Sequence, residues 1–160
     1  YRQPAQLFWN AGSAGARLFV DVEDPGALAE PLVGRASAYA DIDGDGDLDV
    51  VILQAGDRAM LFENRQQTGH HWLRVALRGK APNTGAVGAR LALTAGGVTR
   101  TRVVMPSRGY MSQVERTVTF GLGDLAQVER LQVTWPDGSE QTLTPDAVDT
   151  TLVLEQAAGP

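Results

Sequence analysis

The sequence predicts an all-β protein in two parts, a unit built around an acidic loop and an antiparallel β-sandwich after it. Three observations predict this. Short runs alternate apolar and polar residues, the period of a half-buried strand. The 18 glycines and 8 prolines supply turns between such runs. No segment sustains a helical period for three turns.

Taken in order, the first ten residues hold an apolar arm, Leu7-Phe8-Trp9. The stretch Ala5-Gln-Leu-Phe-Trp-Asn10 resembles Ala59-Met-Leu-Phe-Glu-Asn64, identical at four of six positions and 54 residues apart. Residues 1–10 therefore read as the last strand of a preceding unit, or as an arm lent elsewhere, and 11–66 as the next unit. Within that unit Pro25 to Leu32 reads as a loop or short helical turn. Arg35 to Tyr39 and Val50 to Leu53 read as strands flanking the acidic loop. Composition changes at Arg65-Gln-Gln-Thr-Gly69, and 67–160 forms the second domain. There Leu73, Val75 and Leu77 point one way, with Arg74 and Arg78 the other. Ala89, Leu91 and Leu93 repeat the pattern, as do Val118, Phe120 and Leu122. Leu131, Val133 and Trp135 alternate most clearly, and Pro136-Asp-Gly138 turns that strand into a hairpin. Leu152 and Leu154 mark a last strand.

The formal net charge is −5, which argues against nucleic-acid binding, since that needs a basic patch. Five aspartates fall between Asp41 and Asp49, and without them the chain is neutral. The acidity thus belongs to one site. There is no cysteine to form a disulfide, and no apolar run long enough for a membrane span. The chain opens Tyr1-Arg2-Gln3-Pro4 without a signal peptide, and reads as a mature or excised segment.

The loop Asp41-Ile-Asp-Gly-Asp-Gly-Asp-Leu-Asp49 has the pattern of a calcium site. Calcium takes six to eight oxygens at about 2.3–2.6 Å. Asp41, Asp43 and Asp45 present every second carboxylate inward. Gly46 permits the sharp turn. Asp47 is expected to contribute its backbone carbonyl, and Asp49 to close the loop. An EF-hand would need Glu where Ile52 stands, and helices where the flanks read as strands. Solvated turn aspartates without a metal are the competing reading, but five carboxylates in nine residues repel unless a cation lies among them. Zinc and copper would want Cys or His ligands.

No catalytic residue is expected. His70 and His71 are adjacent in a strand and point to opposite faces. Ser13, Ser107 and Ser112 have no neighbouring His-Asp arrangement. Glu115, Glu129 and Glu140 read as a solvated face. Gly121-Leu-Gly123 is too short for a nucleotide loop and reads as a turn. The arginines, Arg74, Arg100 and Arg102 among them, read as the solvent face of the second domain. Trp135 reads as core and Trp72 as partly exposed or at an interface. Leu7, Phe8, Trp9 and Tyr110 are the candidate interface residues.

Two resemblances meet on these residues. Residues 18–64 resemble an FG-GAP (VCBS-type) repeat, carried by Gly34-Arg-Ala-Ser-Ala-Tyr-Ala-Asp41, the acidic loop, and Leu61-Phe-Glu-Asn-Arg65. Residues 70–144 resemble the ASPIC/UnbV domain that follows such repeats in cartilage acidic protein and its bacterial relatives. The matching stretches are His70-His-Trp-Leu73, Gly85-Ala-Val-Gly-Ala-Arg90, Ser107-Arg-Gly-Tyr-Met-Ser-Gln113, Phe120-Gly-Leu-Gly-Asp124 and Val133-Thr-Trp-Pro-Asp-Gly138. The resemblance implies a propeller-type blade with calcium held by Asp41, Asp43, Asp45, Asp47 and Asp49, and an extracellular or cell-surface protein without a transferable activity. One unit and a strand fall short of the several blades that close a propeller. Two functional readings follow. One is a calcium-stabilised module that donates its N-terminal strand to another copy and so forms a filament. The other is a fragment of a secreted propeller protein that binds protein or glycan at the cell surface.

Overall fold

A computed structural model describes residues 1–11 and 18–157; Ser13 therefore lies outside the described residues. Among those residues there is no α-helix, and the strands form four sheets, none of them closed. The one helical element among the described residues is a turn of 3-10 helix at Gly26–Ala29, inside the stretch expected to be a loop or short helical turn.

The first two strands, β1 (Phe8–Asn10) and β2 (Phe19–Asp21), pair only with each other as an antiparallel ribbon. The arm thus folds back on its own chain, and a bridge from Gln3 to Leu32 ties its root. Next come β3 (Gly34–Ala40), β4 (Asp49–Gln54) and β5 (Met60–Phe62), an antiparallel sheet in that order. The acidic loop is the β3–β4 connection. Its flanks are strands and Ile52 is core, so an EF-hand is excluded.

The remaining strands build a sandwich. One sheet orders β11 (Glu140–Leu143), β10 (Arg130–Thr134), β7 (Arg90–Ala95) and β8 (Val98–Val103). The facing sheet orders β12 (Thr150–Glu155), β6 (His71–Arg78) and β9 (Val118–Gly123). Alternation places the inner residues. Leu73, Val75 and Phe120 from one sheet meet Leu91, Leu93, Leu131 and Val133 from the other in one buried cluster, and Trp135 belongs to that core as expected. By contrast, Leu32 and Ile52 are the only buried apolar residues described before position 66. The first unit has almost no core of its own and depends on what it packs against.

Three expectations are corrected here. The sandwich is not wholly antiparallel: β12 runs parallel to β6, Thr150 beside Leu73 through Glu155 beside Arg78. Alternation reveals faces but not direction, and the crossover through β10 and β11 returns the chain to the end where β6 begins. Gly121-Leu122-Gly123 is not a turn but the end of β9, with Leu122 in the core. Arg100 is half-buried and does not line the solvent face, whereas Arg102 is exposed as expected. They lie opposite the buried Leu93 and Leu91, on the core side of edge strand β8, and Arg102 sits 6.0 Å over the Phe120 ring. Inward charges on an edge strand block further pairing there.

Candidate metal centre

The carboxylates of Asp41, Asp43, Asp45 and Asp49 are held by main-chain donors, because the glycines let the backbone curl around them. Gly44 and Gly46 both adopt positive φ. The Gly44 N–H donates to Asp41 Oδ1 at 2.7 Å and the Gly46 N–H to Asp41 Oδ2 at 3.1 Å. Asp49, 2% exposed, accepts from the Ile42 N–H at 2.8 Å and, through its other oxygen, from the Asn64 N–H at 2.8 Å. Asp49 thereby ties the loop to the strand end that carries the sequence repeat. Asp43 and Asp45 each accept from the N–H two residues on, the usual short turn made by aspartate.

One oxygen each from Asp41, Asp43 and Asp49 lies within 4.8 Å of the others. Oxygens about 2.3–2.6 Å from one calcium ion lie at most about 5 Å apart, so this spacing is compatible with a shared ion. A carboxylate has about four lone-pair sites, so oxygens that accept one N–H still have room for a cation. Asp45 and Asp47 stand outside this group of three. Burial raises the Asp47 carboxyl above its ordinary value, and Asp45, Asp41, Asp49 and Asp43 push it further. The cage is therefore under like-charge stress that a cation would relieve. The donor set fits a hard cation that prefers carboxylates, calcium above zinc or copper.

The second domain closes the back of the loop, and sequence reasoning missed Arg74 and Glu115 there. Arg74, expected on the solvent face, is 11% exposed, and its Nη1 donates to Asp41 Oδ2 at 2.7 Å. Its Nη2 donates to Glu115 Oε2. Glu115 is likewise not a solvated carboxylate: its Oε1 accepts the Asp41 N–H at 3.4 Å. Burial raises the Glu115 carboxyl above its ordinary value despite the Arg74 charge beside it. Trp72, two residues from Arg74 on the same face of β6, packs its indole against Gly46.

The segment between β8 and β9 lies along the free edge of β3. The Ser37 N–H donates to Ser112 Oγ at 3.2 Å, and the Glu115 N–H reaches Tyr39 O at 3.5 Å. The stretch from Ser107 to Gln113 thus covers an edge that would otherwise be open. Within it Tyr110 is 72% exposed. Leu7, Phe8 and Trp9 are also exposed, and far from buried by their pairing with β2.

His70 and His71 do not share a site. His71 Nδ1 lies 2.7 Å from Asp149 Oδ2, while His70 faces Asp124 at 3.6 Å. Asp149 also accepts the Trp72 N–H at 3.0 Å and donates its own N–H to Trp72 O at 2.7 Å. That residue clamps the start of β12 to the start of β6.

The fold, the loop and its backing can be set beside known proteins. The profile of the family described as ASPIC and UnbV matches residues 79–160, half of the chain. The chain belongs to the ASPIC and UnbV family. It is also 33% identical over 145 residues to cartilage acidic protein 1 of Xenopus tropicalis, covering 86% of this chain and 22% of that protein. The Homo sapiens protein of the same name is 31% identical over 156 residues, covering 85% of this chain and 23% of the relative. The chain thus spans about a fifth of the length of the curated relatives it matches. The ASPIC and UnbV match begins at Gly79, so Arg74 and the acidic loop lie before it.

Proposed function

We propose that this chain is a non-catalytic calcium-binding structural and interaction module of an extracellular or cell-surface protein. The observation that carries this reading is the convergence of oxygens from Asp41, Asp43 and Asp49 within 4.8 Å, on a loop held by its own main-chain donors. Asp45 and the carbonyl of Asp47 complete the expected ligand set. In this reading β3, β4 and β5 are the strands of an FG-GAP repeat, with the cation in the β3–β4 connection. Calcium would supply charge neutralisation and cross-link the loop. Similarity to proteins named for cartilage supports the extracellular placement. Two groups expected to lack a catalytic constellation have other work: the Ser112 hydroxyl oxygen accepts from Ser37, and His71 is engaged by Asp149.

Titration calorimetry of the purified chain with Ca2+, and separately with Mg2+, tests this. One calcium site per chain is expected, abolished by Asp43→Ala. Heats of dilution alone would overturn the reading.

A second reading, self-assembly, draws on a different observation. Phe8, Trp9, Phe19 and Val20 are exposed on a ribbon that pairs with no other sheet. Such a surface invites a cover, either another copy of the chain or further parts of a longer propeller protein that displays protein- or glycan-binding surfaces.

A further inference from the structure

Arg74 presents a permanent positive charge to Asp41, one of the three carboxylates that would face the cation. Its Nη1 donates to Asp41 Oδ2, which also accepts the Gly46 N–H. The Asp41 side chain is 0% exposed and Arg74 only 11%, so solvent screens this pair weakly. Nη2 is anchored on Glu115, whose other oxygen accepts the Asp41 N–H. The guanidinium is therefore fixed in place by the sandwich, at the back of the loop.

Resting on the calcium reading above, we propose that Arg74 is a built-in partial substitute for the metal. It neutralises Asp41 and docks the loop on the sandwich before any calcium arrives, and it thereby weakens calcium binding. Both cations stabilise the same carboxylate and repel each other. What each contributes is smaller when the other is present, and this antagonism is reciprocal. A residue that merely positioned Asp41 for the metal would do the opposite, because its removal would loosen calcium.

The test compares the chain with Arg74→Met and Arg74→Lys by calcium calorimetry, and by thermal unfolding in chelator and in saturating calcium. Arg74→Met is expected to bind calcium roughly fivefold tighter or more, in the usual range of such couplings. Its melting temperature should fall more in chelator than in calcium. Arg74→Lys keeps the charge and should bind nearly as the unaltered chain does. Should Arg74→Met fail to fold, Arg74→Gln, which retains one donor for Asp41, gives the same comparison. Unchanged or weaker calcium binding in the neutral variants would overturn the inference and leave the calcium reading intact. Silence from every form would remove the calcium reading and this inference with it.

Discussion

Gly46 lies against the indole of Trp72, so closely that a Cβ at position 46 would fall within the ring. The glycine has φ +97°, a conformation that L side chains rarely adopt. One residue thus serves both the curl of the acidic loop and its seat on the sandwich. Gly46→Ala should destabilise by about 2–4 kcal/mol, combining left-handed strain with overpacking. Urea unfolding followed by tryptophan fluorescence would measure it. A loss below about 0.5 kcal/mol would mean that the contact is not retained in solution.

Asp49 and Asp43 should separate structure from metal binding. Asp49 is buried and accepts two main-chain bonds, from Ile42 and Asn64. Asp49→Ala leaves both donors unsatisfied and should cost about 2–4 kcal/mol even in chelator. Asp43 is exposed and accepts one bond within its own turn. Asp43→Ala should be nearly neutral in chelator, yet should lose the rise in melting temperature that calcium gives the unaltered chain. Six thermal scans, the unaltered chain and each variant with and without calcium, would check the pair. Equal behaviour of the two variants in chelator contradicts the assignment.

Acid should loosen the junction of β6 and β12 through Asp149. Its carboxyl lies below the ordinary value of 3.8, first because of the hydrogen bond from His71, then because of the Trp72 N–H. A lowered carboxyl contributes stability that is fully present above the unfolded value and is lost as pH falls through the folded one. The expected window is therefore below about pH 4. Asp149→Asn should flatten the fall in melting temperature across that window and leave the slope above it unchanged. A parallel shift at all pH values would assign Asp149 a purely geometric role.

Much of the sandwich is legible in the sequence because its inner residues recur at period two. Leu73, Val75, Phe120, Leu131 and Val133 are all where the alternation puts them. The loop is legible because its aspartates are close in sequence and share one charge sign. Arg74 and Trp72 were harder to assign. Alternation correctly puts them on the outer face of β6, but only tertiary structure reveals that the acidic loop and Glu115 cover that face. Glu115 was misread for the same reason, since its partners Arg74 and Asp41 are 41 and 74 residues away. The Gly85 to Arg90 stretch carried a family signal but no readable role. In the fold Gly85 lies beside Arg116, whose movable guanidinium would come within 2.7 Å of a Cβ at that position. The parallel course of β12 had no local signal at all.

The β1–β2 ribbon yields the prediction on assembly. Trp9 is 64% exposed and Phe19 60%, although the two strands are paired in register from Phe8 with Asp21 to Asn10 with Phe19. A two-stranded ribbon alone is marginal in water, and exposed aromatic residues on it favour burial against a partner. If that partner is a second copy, the contact joins the ribbon of one chain to a different surface of the next. Such heterologous contacts propagate unless the rotation closes. Light scattering should then show mass rising with protein concentration, and Trp9→Ser combined with Phe19→Ser should return the chain to a monomer. The ribbon lies outside the loop, so the double variant should still bind calcium as the unaltered chain does. A monomer at every concentration, in calcium and in chelator alike, would leave the ribbon for other parts of a longer protein to cover.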